Sequence, residues 1–331
     1  MKLGIAKGGS RLKLVAVLDD YQQVALQMTD WSALAGEAEI TSFSDHLDDV
    51  DQLATRLSGY DVVVAMRERT AFPRRLLERL PELRLLVATG RRHTVIDLQA
   101  AGEMGIVVCG TRGLESNTSE LTWALILSLV RRVPAEAHAM RSGGWQSTLG
   151  VDLAGKTLGI LGLGSIGRRV ARVATAFDMR VLAWSQNLTP PAATESGATW
   201  CDKDTLLADS DVITIHLVLS DRTRGLVGSR EFALMKPEAY LINTSRGPIV
   251  DEDALIDSLR SGRIAGAALD VFDTEPLPPD HSLRTLPNAL LTPHLGYVTE
   301  NTYRNFYRDV VEDIVAYLAG SPVRVVVEAS E

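Results

Sequence analysis

The chain has 331 residues, long for one hydrophobic core and comfortable for two, so two domains are expected. A composition of 46% hydrophobic, 23% charged and 5% aromatic residues is that of a folded α/β protein and argues against a disordered or fibrous chain. The formal charge of −8 and pI near 5.4 argue against a general nucleic-acid binder, which needs a cationic surface to displace counterions from phosphates.

Met1–Ser10 reads as an extension ahead of the first strand, without the uninterrupted apolar core of a secretory signal. The first third then alternates apolar runs, Leu14–Leu18, Asp61–Ala65, Leu83–Val87 and Gly105–Val108, with amphipathic stretches. Continuous apolar strands separated by helices indicate a parallel sheet covered on both faces. A strongly apolar helix over Ser119–Val133 follows, expected to stop at Pro134. A second βα series opens at Thr157–Leu161 and continues through strands near Val181, Val212, Leu241, Ala267 and Leu290, which makes six. Glu300–Leu318 has helical apolar spacing, and Val323–Val327 is a candidate strand with no sheet of its own. That tail is expected to return to the first domain, giving one domain of residues 11–112 with 299–331 and another of 113–298. No apolar run reaches the roughly 18 residues a membrane span needs. Cys109 and Cys201 lack the spacing of a zinc site or redox pair, so a reducing, cytoplasmic location without membrane, nucleic-acid or metal partners is expected.

Gly162-Leu163-Gly164-Ser165-Ile166-Gly167 directly follows a strand and opens a helix whose apolar face is read as Ile166, Val170, Val173 and Phe177. Glycines here allow a tight turn, close approach of a pyrophosphate and close helix packing, while the helix N-terminus offers N–H groups to the anion. The next strand ends at Ser185, about where an acidic residue would hold the adenosine ribose. A neutral serine does not repel a 2′-phosphate, yet no Arg or Lys adjoins it, so the choice between NAD and NADP stays open at this point.

Three polar residues lie just beyond strands of the second domain: Arg246 in Asn243-Thr244-Ser245-Arg246-Gly247, Glu275 in Asp270-Val271-Phe272-Asp273-Thr274-Glu275, and His294 in Thr292-Pro293-His294-Leu295-Gly296. Taken singly they read as well as a surface cation, a solvated acid and a loop histidine. Taken jointly they match one chemistry, because carboxyl ends of strands face the ligand crevice of a doubly wound sheet. A 2-oxo acid needs a fixed cation, and a histidine beside a carboxylate is a proton donor suited to neutral pH.

With the glycine motif, these segments resemble the D-2-hydroxyacid dehydrogenase family, over nearly the whole chain from Leu14 to about Val327. Ile96-Asp97-Leu98, Glu120 and Gly155-Lys156-Thr157-Leu158-Gly159-Ile160 also carry the resemblance. It implies two doubly wound parallel-sheet domains, a Rossmann dinucleotide-binding domain inserted in a discontinuous flavodoxin-like substrate domain. It further implies that Arg246 binds and polarises the substrate, that His294 is the acid/base, and that Glu275 orients and charges it. The backbone around Gly90, Arg91 and Arg92 would receive the substrate carboxylate, and Asp270 would hold the nicotinamide amide. Cofactor contacts would come from Gly162, Gly164, Ser165, Ile166, Gly167, Ser185, His216, Thr223, Thr244, Ser245 and Gly296. The implied activity is hydride transfer between NAD, or NADP, and a small anionic 2-oxo acid of phosphoglycerate, glyoxylate or hydroxypyruvate type, by a homodimer. The chain departs from the family pattern at Ser185 and at Val218, where proline commonly follows His216-Leu217. The alternative is a dinucleotide-sensing, corepressor-like binding protein on the same fold. Arg67, Arg69, Arg91 and Arg92 follow strands of the first domain and would attract a second anionic group on the substrate if they face the cofactor, or else make surface ion pairs.

Overall fold

The computed structural model describes residues 11–90, 94–114 and 116–328, so the expected N-terminal extension, Arg91 and Arg92 lie outside the described residues. The chain divides into two compact units, Met1–Leu114 with Thr299–Glu331, and Glu115–Val298.

The first unit contains β1 (Lys13–Val17), β2 (Ala38–Ser42), β3 (Val62–Ala65), β4 (Leu85–Ala88) and β5 (Val107–Gly110). The second contains β6 (Thr157–Leu161), β7 (Arg180–Trp184), β8 (Thr199–Trp200), β9 (Val212–Ile215), β10 (Tyr240–Asn243), β11 (Gly266–Leu269) and β12 (Ala289–Leu291). The chain then returns through the helix Glu300–Leu318 to β13 (Val325–Val327), which pairs antiparallel with β5. The sheet orders are β13-β5-β4-β3-β1-β2 and β12-β11-β10-β9-β6-β7-β8. Every pairing other than that of β13 is parallel. Both sheets reverse winding direction once, beside β1 in the first and β6 in the second, and such switch points open a crevice at the carboxyl ends of the strands.

Strand residues of the second unit alternate between two cores because side chains alternate faces. Leu158, Ile160, Val212 and Ile242 join one apolar cluster, while Leu161, Ile213, Leu241 and Leu269 join the other. Two strands escaped the sequence reading. In β2 only Ile40 is strongly apolar, and β8 is two exposed residues, so neither carries the signature of a buried strand. Both are edges of their sheets.

Two helix expectations need correction. The apolar helix runs Ser116–Val130, and Pro134 does not end it. The chain turns through Arg132, in the left-handed region at φ 51°, and Pro134 lies in the first turn of a second helix, Val133–Arg141, where its missing N–H costs nothing. On the glycine-loop helix, Ser165–Ala176, the buried stripe is Gly167, Val170, Ala171 and Ala174, while Val173 is 37% exposed. At about 100° per residue, position 173 falls off the stripe that 167, 170, 171 and 174 share.

Candidate active site

Strands β10, β11 and β12 are successive neighbours, so the loops leaving their carboxyl ends emerge side by side. Arg246, Glu275 and His294 occupy those three loops. Glu275 is fixed at both oxygens: Oε1 accepts the Phe272 N–H at 2.9 Å, and Oε2 lies 2.6 Å from His294 Nδ1. The imidazole meets the Tyr297 ring edge-on at 5.3 Å, and Nε2 is the ring nitrogen that Glu275 does not hold. His294 adopts φ 53°, in the left-handed region that L-residues adopt uncommonly.

The surroundings of His294 centre on Asp270, which is buried at the end of β11. One of its oxygens accepts from Thr292 Oγ1 at 2.5 Å and the Leu295 N–H at 2.7 Å, the other from the Gly296 N–H at 2.8 Å. Burial raises the Asp270 pKa, while these donors and the His294 charge pull it back. The Gly296 carbonyl accepts from Thr118 Oγ1 at 3.0 Å. Asp270 thus braces both sides of His294.

The Arg246 turn is clipped by the buried Asn243 side chain, whose oxygen accepts the Ser245 N–H and whose amide donates to the Arg246 carbonyl, each at 3.0 Å. Arg246 Nη1 donates to the Ser245 carbonyl at 2.7 Å. Gly247 lets this turn press on the next loop: a Cβ there would lie 2.1 Å from the Phe272 carbonyl carbon. Since Phe272 also holds Glu275, the backbone contact ties the arginine loop to the Glu275–His294 pair.

The glycine loop lies at the switch point of the second unit. Gly162, at φ 106°, donates its N–H to the Trp184 carbonyl at 2.8 Å and crosses the end of β9, where a Cβ would come within 2.7 Å of His216 backbone. Gly167 allows the helix to close on the loop, since a Cβ would meet the Gly162 carbonyl at 2.2 Å. Gly164 differs, because a Cβ there would enter open space. It caps the Ser165–Ala176 helix without any side-chain hydrogen bond.

The other expected cofactor positions are held by local hydrogen bonds. Ser185 follows β7 directly, and its carbonyl accepts the Leu188 N–H at 3.0 Å. His216 Nε2 meets Thr214 Oγ1 at 3.0 Å, and burial pulls its pKa down to about 3, leaving a neutral ring. Thr244 Oγ1 pairs with Thr122 Oγ1 at 2.9 Å, Ser245 Oγ donates to the Leu217 carbonyl, and Thr223 closes its own turn on Val218 and Ser220. Among the described residues no group of three His, Cys, Asp or Glu is arranged to hold a metal ion.

At the carboxyl edge of the first unit, Gly90 bends at φ 94° and donates its N–H to Thr111 Oγ1 at 2.8 Å. The Arg67 guanidinium lies across it, so that a Cβ on Gly90 would fall 2.2 Å from Nη1. Arg67 also pairs with Glu68 at 3.4 Å. Arg69 is engaged inside the unit, donating to the Asp19 carbonyl at 2.6 Å and to Tyr303 Oη at 3.3 Å, with the Tyr21 ring 4.3 Å away.

The model of the D-isomer specific 2-hydroxyacid dehydrogenase NAD binding domain matches residues 123–296, more than half of the chain. The chain belongs to the D-isomer specific 2-hydroxyacid dehydrogenase family. It is 43% identical over 255 residues to a glyoxylate reductase of Aeropyrum pernix, covering 74% of this chain and 76% of that protein. It is 32% identical over 308 residues to a hydroxypyruvate reductase of Blautia hydrogenotrophica, covering 90% and 94%. The structure of a phosphoglycerate oxidoreductase from Vibrio cholerae O395 superposes with a TM-score of 0.89 at 36% identity, covering 94% of this chain and all of that one.

For a member of this family the glycine loop fits a dinucleotide: Gly162 and Gly167 are filled from the protein side, and Gly164 alone opens toward space at an uncapped helix end. Sequence reasoning missed the braces, namely Asn243, Phe272, Thr118 and Asp270 as a clamp on the histidine loop. Only Asn243 left a trace in the sequence, since an asparagine ending a buried strand needs hydrogen-bond partners. Phe272 acts through its own N–H, and Thr118 and Asp270 act on backbone groups of the histidine loop, partners that no sequence spacing reveals.

Proposed function

We propose that the chain is an NAD(P)-dependent oxidoreductase acting on the CH–OH group of small D-2-hydroxy acids, with Arg246, Glu275 and His294 as its catalytic residues. The observation that carries this reading is the His294 Nδ1–Glu275 Oε2 contact of 2.6 Å, on a carboxylate whose other oxygen is held by the Phe272 N–H. A carboxylate on Nδ1 selects the tautomer and ring orientation that turn Nε2 toward the reacting oxygen. When bound, the nicotinamide supplies or accepts the hydride. Arg246 holds the carboxylate and polarises the carbonyl of the 2-oxo acid. His294 Nε2 donates a proton to that oxygen in reduction and takes it back in oxidation, while Glu275 steadies the imidazolium. The backbone around Gly90, Arg91 and Arg92 is the expected receiver of the substrate carboxylate.

The names of the relatives support glyoxylate, hydroxypyruvate and phosphoglycerate as the substrates to assay, and give no support to the corepressor-like alternative. Both arginines have partners within the first unit, Arg69 in Asp19, Tyr303 and Tyr21 and Arg67 in Glu68. The enzyme is a cytoplasmic homodimer in this reading. Its two cysteines are unpaired, and no described helix is long and apolar enough to cross a membrane. The Val133–Arg141 helix buries none of its residues, and the segment after it exposes Trp145 and Leu149 by 74% and 91%, as a surface awaiting a second copy would.

The test is turnover of glyoxylate, hydroxypyruvate and phosphohydroxypyruvate with NADH and NADPH, for wild type and His294→Ala. His294→Ala is expected to lower kcat by about 10²–10⁴-fold while dinucleotide affinity stays near wild type. Retention of full kcat would remove His294 from the mechanism.

A further inference from the structure

Within the second unit, the glycine-loop helix Ser165–Ala176 packs on β6 and β7, and the Ser116–Val130 helix packs on the same face of the sheet over β10 and β11. The strand order β11-β10-β9-β6-β7 therefore gives the glycine-loop helix two unlike flanks, one turned to its neighbour and one turned to β7 and the chain beyond it. Phe177, which ends the helix, stacks on Trp123 of the neighbour at 5.1 Å, so its row is the inner flank. At about 100° per residue, Arg168 stands half a turn round from Phe177, on the flank toward β7. It lies in the first turn, at the carboxyl edge of the sheet where β7 gives way to Ser185. Its Nε donates to the Leu163 carbonyl at 3.4 Å, which lays the guanidinium against the glycine loop. The adjoining loop residue, Gly162, donates to the Trp184 carbonyl at 2.8 Å, one residue before Ser185. Among the described residues no carboxylate pairs with Arg168, and the residue is exposed.

The chain after β7 offers no negative charge to oppose that cation. Ser185-Gln186-Asn187-Leu188-Thr189 contains no acid, and the Ser185 carbonyl accepts the Leu188 N–H at 3.0 Å, so the chain turns at once. Leu188 packs into the apolar cluster beneath, which leaves Gln186 and Asn187 exposed at the tip of the turn. An acid at the end of this strand would hold the ribose hydroxyls and repel a phosphate carried on one of them. A serine there, with a guanidinium on the helix flank that faces it, favours the phosphate instead.

We propose that Arg168 is a specificity-determining residue that binds the 2′-phosphate of NADP(H), so that the protein prefers NADP(H) to NAD(H). This rests on the reading of the chain as an NAD(P)-dependent oxidoreductase and names the cofactor that reading leaves open. The cation comes from the helix and not from the strand end, so no basic residue beside Ser185 in sequence marks it. Arg172, one turn further along the helix, lies about 6 Å farther from the carboxyl edge and is not part of the site.

Calorimetric titration with adenosine 2′,5′-bisphosphate and 5′-AMP, and fluorescence titration with NADPH and NADH, test it without any turnover. Wild type should bind the 2′-phosphorylated member of each pair about tenfold more tightly, the size of one charge-assisted hydrogen bond, and added salt should shrink that advantage. Arg168→Ala should remove most of it while NADH affinity stays within about twofold. Arg168→Lys keeps the charge without the planar fork and should retain part of the advantage. Ser185→Asp should reverse the preference, whereas Arg172→Ala should leave it as in wild type. Equal affinity for NADPH and NADH in wild type overturns the proposal, and so does a full 2′-phosphate advantage in Arg168→Ala, or its loss in Arg172→Ala instead. Should Arg168→Ala not accumulate as folded protein, Arg168→Gln removes the same charge and is held to the same criteria. Failure of wild type to bind either dinucleotide would sink the functional reading itself, an outcome separate from any preference between the two.

Discussion

At the scale of single residues, Glu275 is placed to decide which nitrogen of His294 carries a proton. A carboxylate at 2.6 Å accepts from Nδ1, which frees Nε2 for either role, whereas the amide of Glu275→Gln offers a donor at the same place. The glutamine would keep the Phe272 bond through its oxygen and present its NH2 to Nδ1, favouring the tautomer already protonated on Nε2. Such a ring cannot take a proton from substrate. Glu275→Gln should therefore lower kcat, measured in both directions at one pH, by about 10²-fold in each, because the imidazolium that donates in reduction must carry a proton on Nδ1 and the neutral ring that accepts in oxidation must leave Nε2 free. In wild type, the ratio of kcat/KM for reduction to that for oxidation should fall as pH increases, since reduction takes up a proton and oxidation releases one. Near wild-type kcat in both directions in Glu275→Gln would refute the assigned pairing.

At the scale of elements, the returning helix and β13 are joined to β5 by a cluster of charges. Arg324 donates to Asp313 Oδ1 at 3.0 Å, to Glu312 Oε2 at 2.9 Å and to the Asp309 carbonyl at 2.9 Å, while its own carbonyl accepts the Gly110 N–H at 3.0 Å. Burial pushes the Asp313 carboxyl up to about 7, with Arg324 opposing and Asp309 and Glu312 adding to the rise. Its Oδ2 is buried without a hydrogen-bond partner, and burial beside Asp313 likewise pushes the Cys109 thiol up to about 12. Asp309 ends lower than usual, since Arg112 and Arg324 outweigh its burial. Between the ordinary carboxylate value and about 7, folded Asp313 keeps a proton that the unfolded chain releases, so this group's contribution weakens as pH rises through that window and is level above it. Asp313→Asn keeps the acceptor for Arg324 and removes the titration. The change in Tm between pH 5.5 and 8 should therefore be less unfavourable to the high-pH side in Asp313→Asn than in wild type; identical slopes would show that Asp313 does not titrate there.

For the whole molecule, the feature left without an internal purpose is the arm of the second unit, where a helix with no buried residue leads to exposed Trp145 and Leu149. Isolated apolar side chains on a surface are ordinary, but a nine-residue helix with no fully buried residue draws little support from packing within the chain, and propensity alone rarely holds one of that length. A second copy would supply that support. Light scattering should give twice the mass of one chain, and Trp145→Asp combined with Leu149→Asp should shift the protein toward monomer at micromolar concentration. A wild-type mass of one chain would reject the homodimer, and an unshifted double variant would place its interface elsewhere.

The local pattern of the chain was enough to determine the buried parallel strands, the glycine loop with its strand before and helix after, the tail helix, and the three polar residues whose types match one chemistry. These are legible because burial on both faces writes continuous apolar runs, and because a pyrophosphate turn and an acid/base pair each demand particular side chains at particular offsets. Tertiary structure decided what depends on partners distant in sequence. Nothing near Gly90 reveals that its N–H ends on Thr111, nor does anything near His294 reveal that Asp270 clamps the backbone on both sides of it. Pro134 lies in the first turn of a helix where the sequence pattern placed a helix end, because a residue lacking an N–H suits a first turn as well as a last boundary. The edge strands β2 and β8 exist only because a neighbouring strand offers a ladder, and an edge held by backbone hydrogen bonds leaves little mark on side chains.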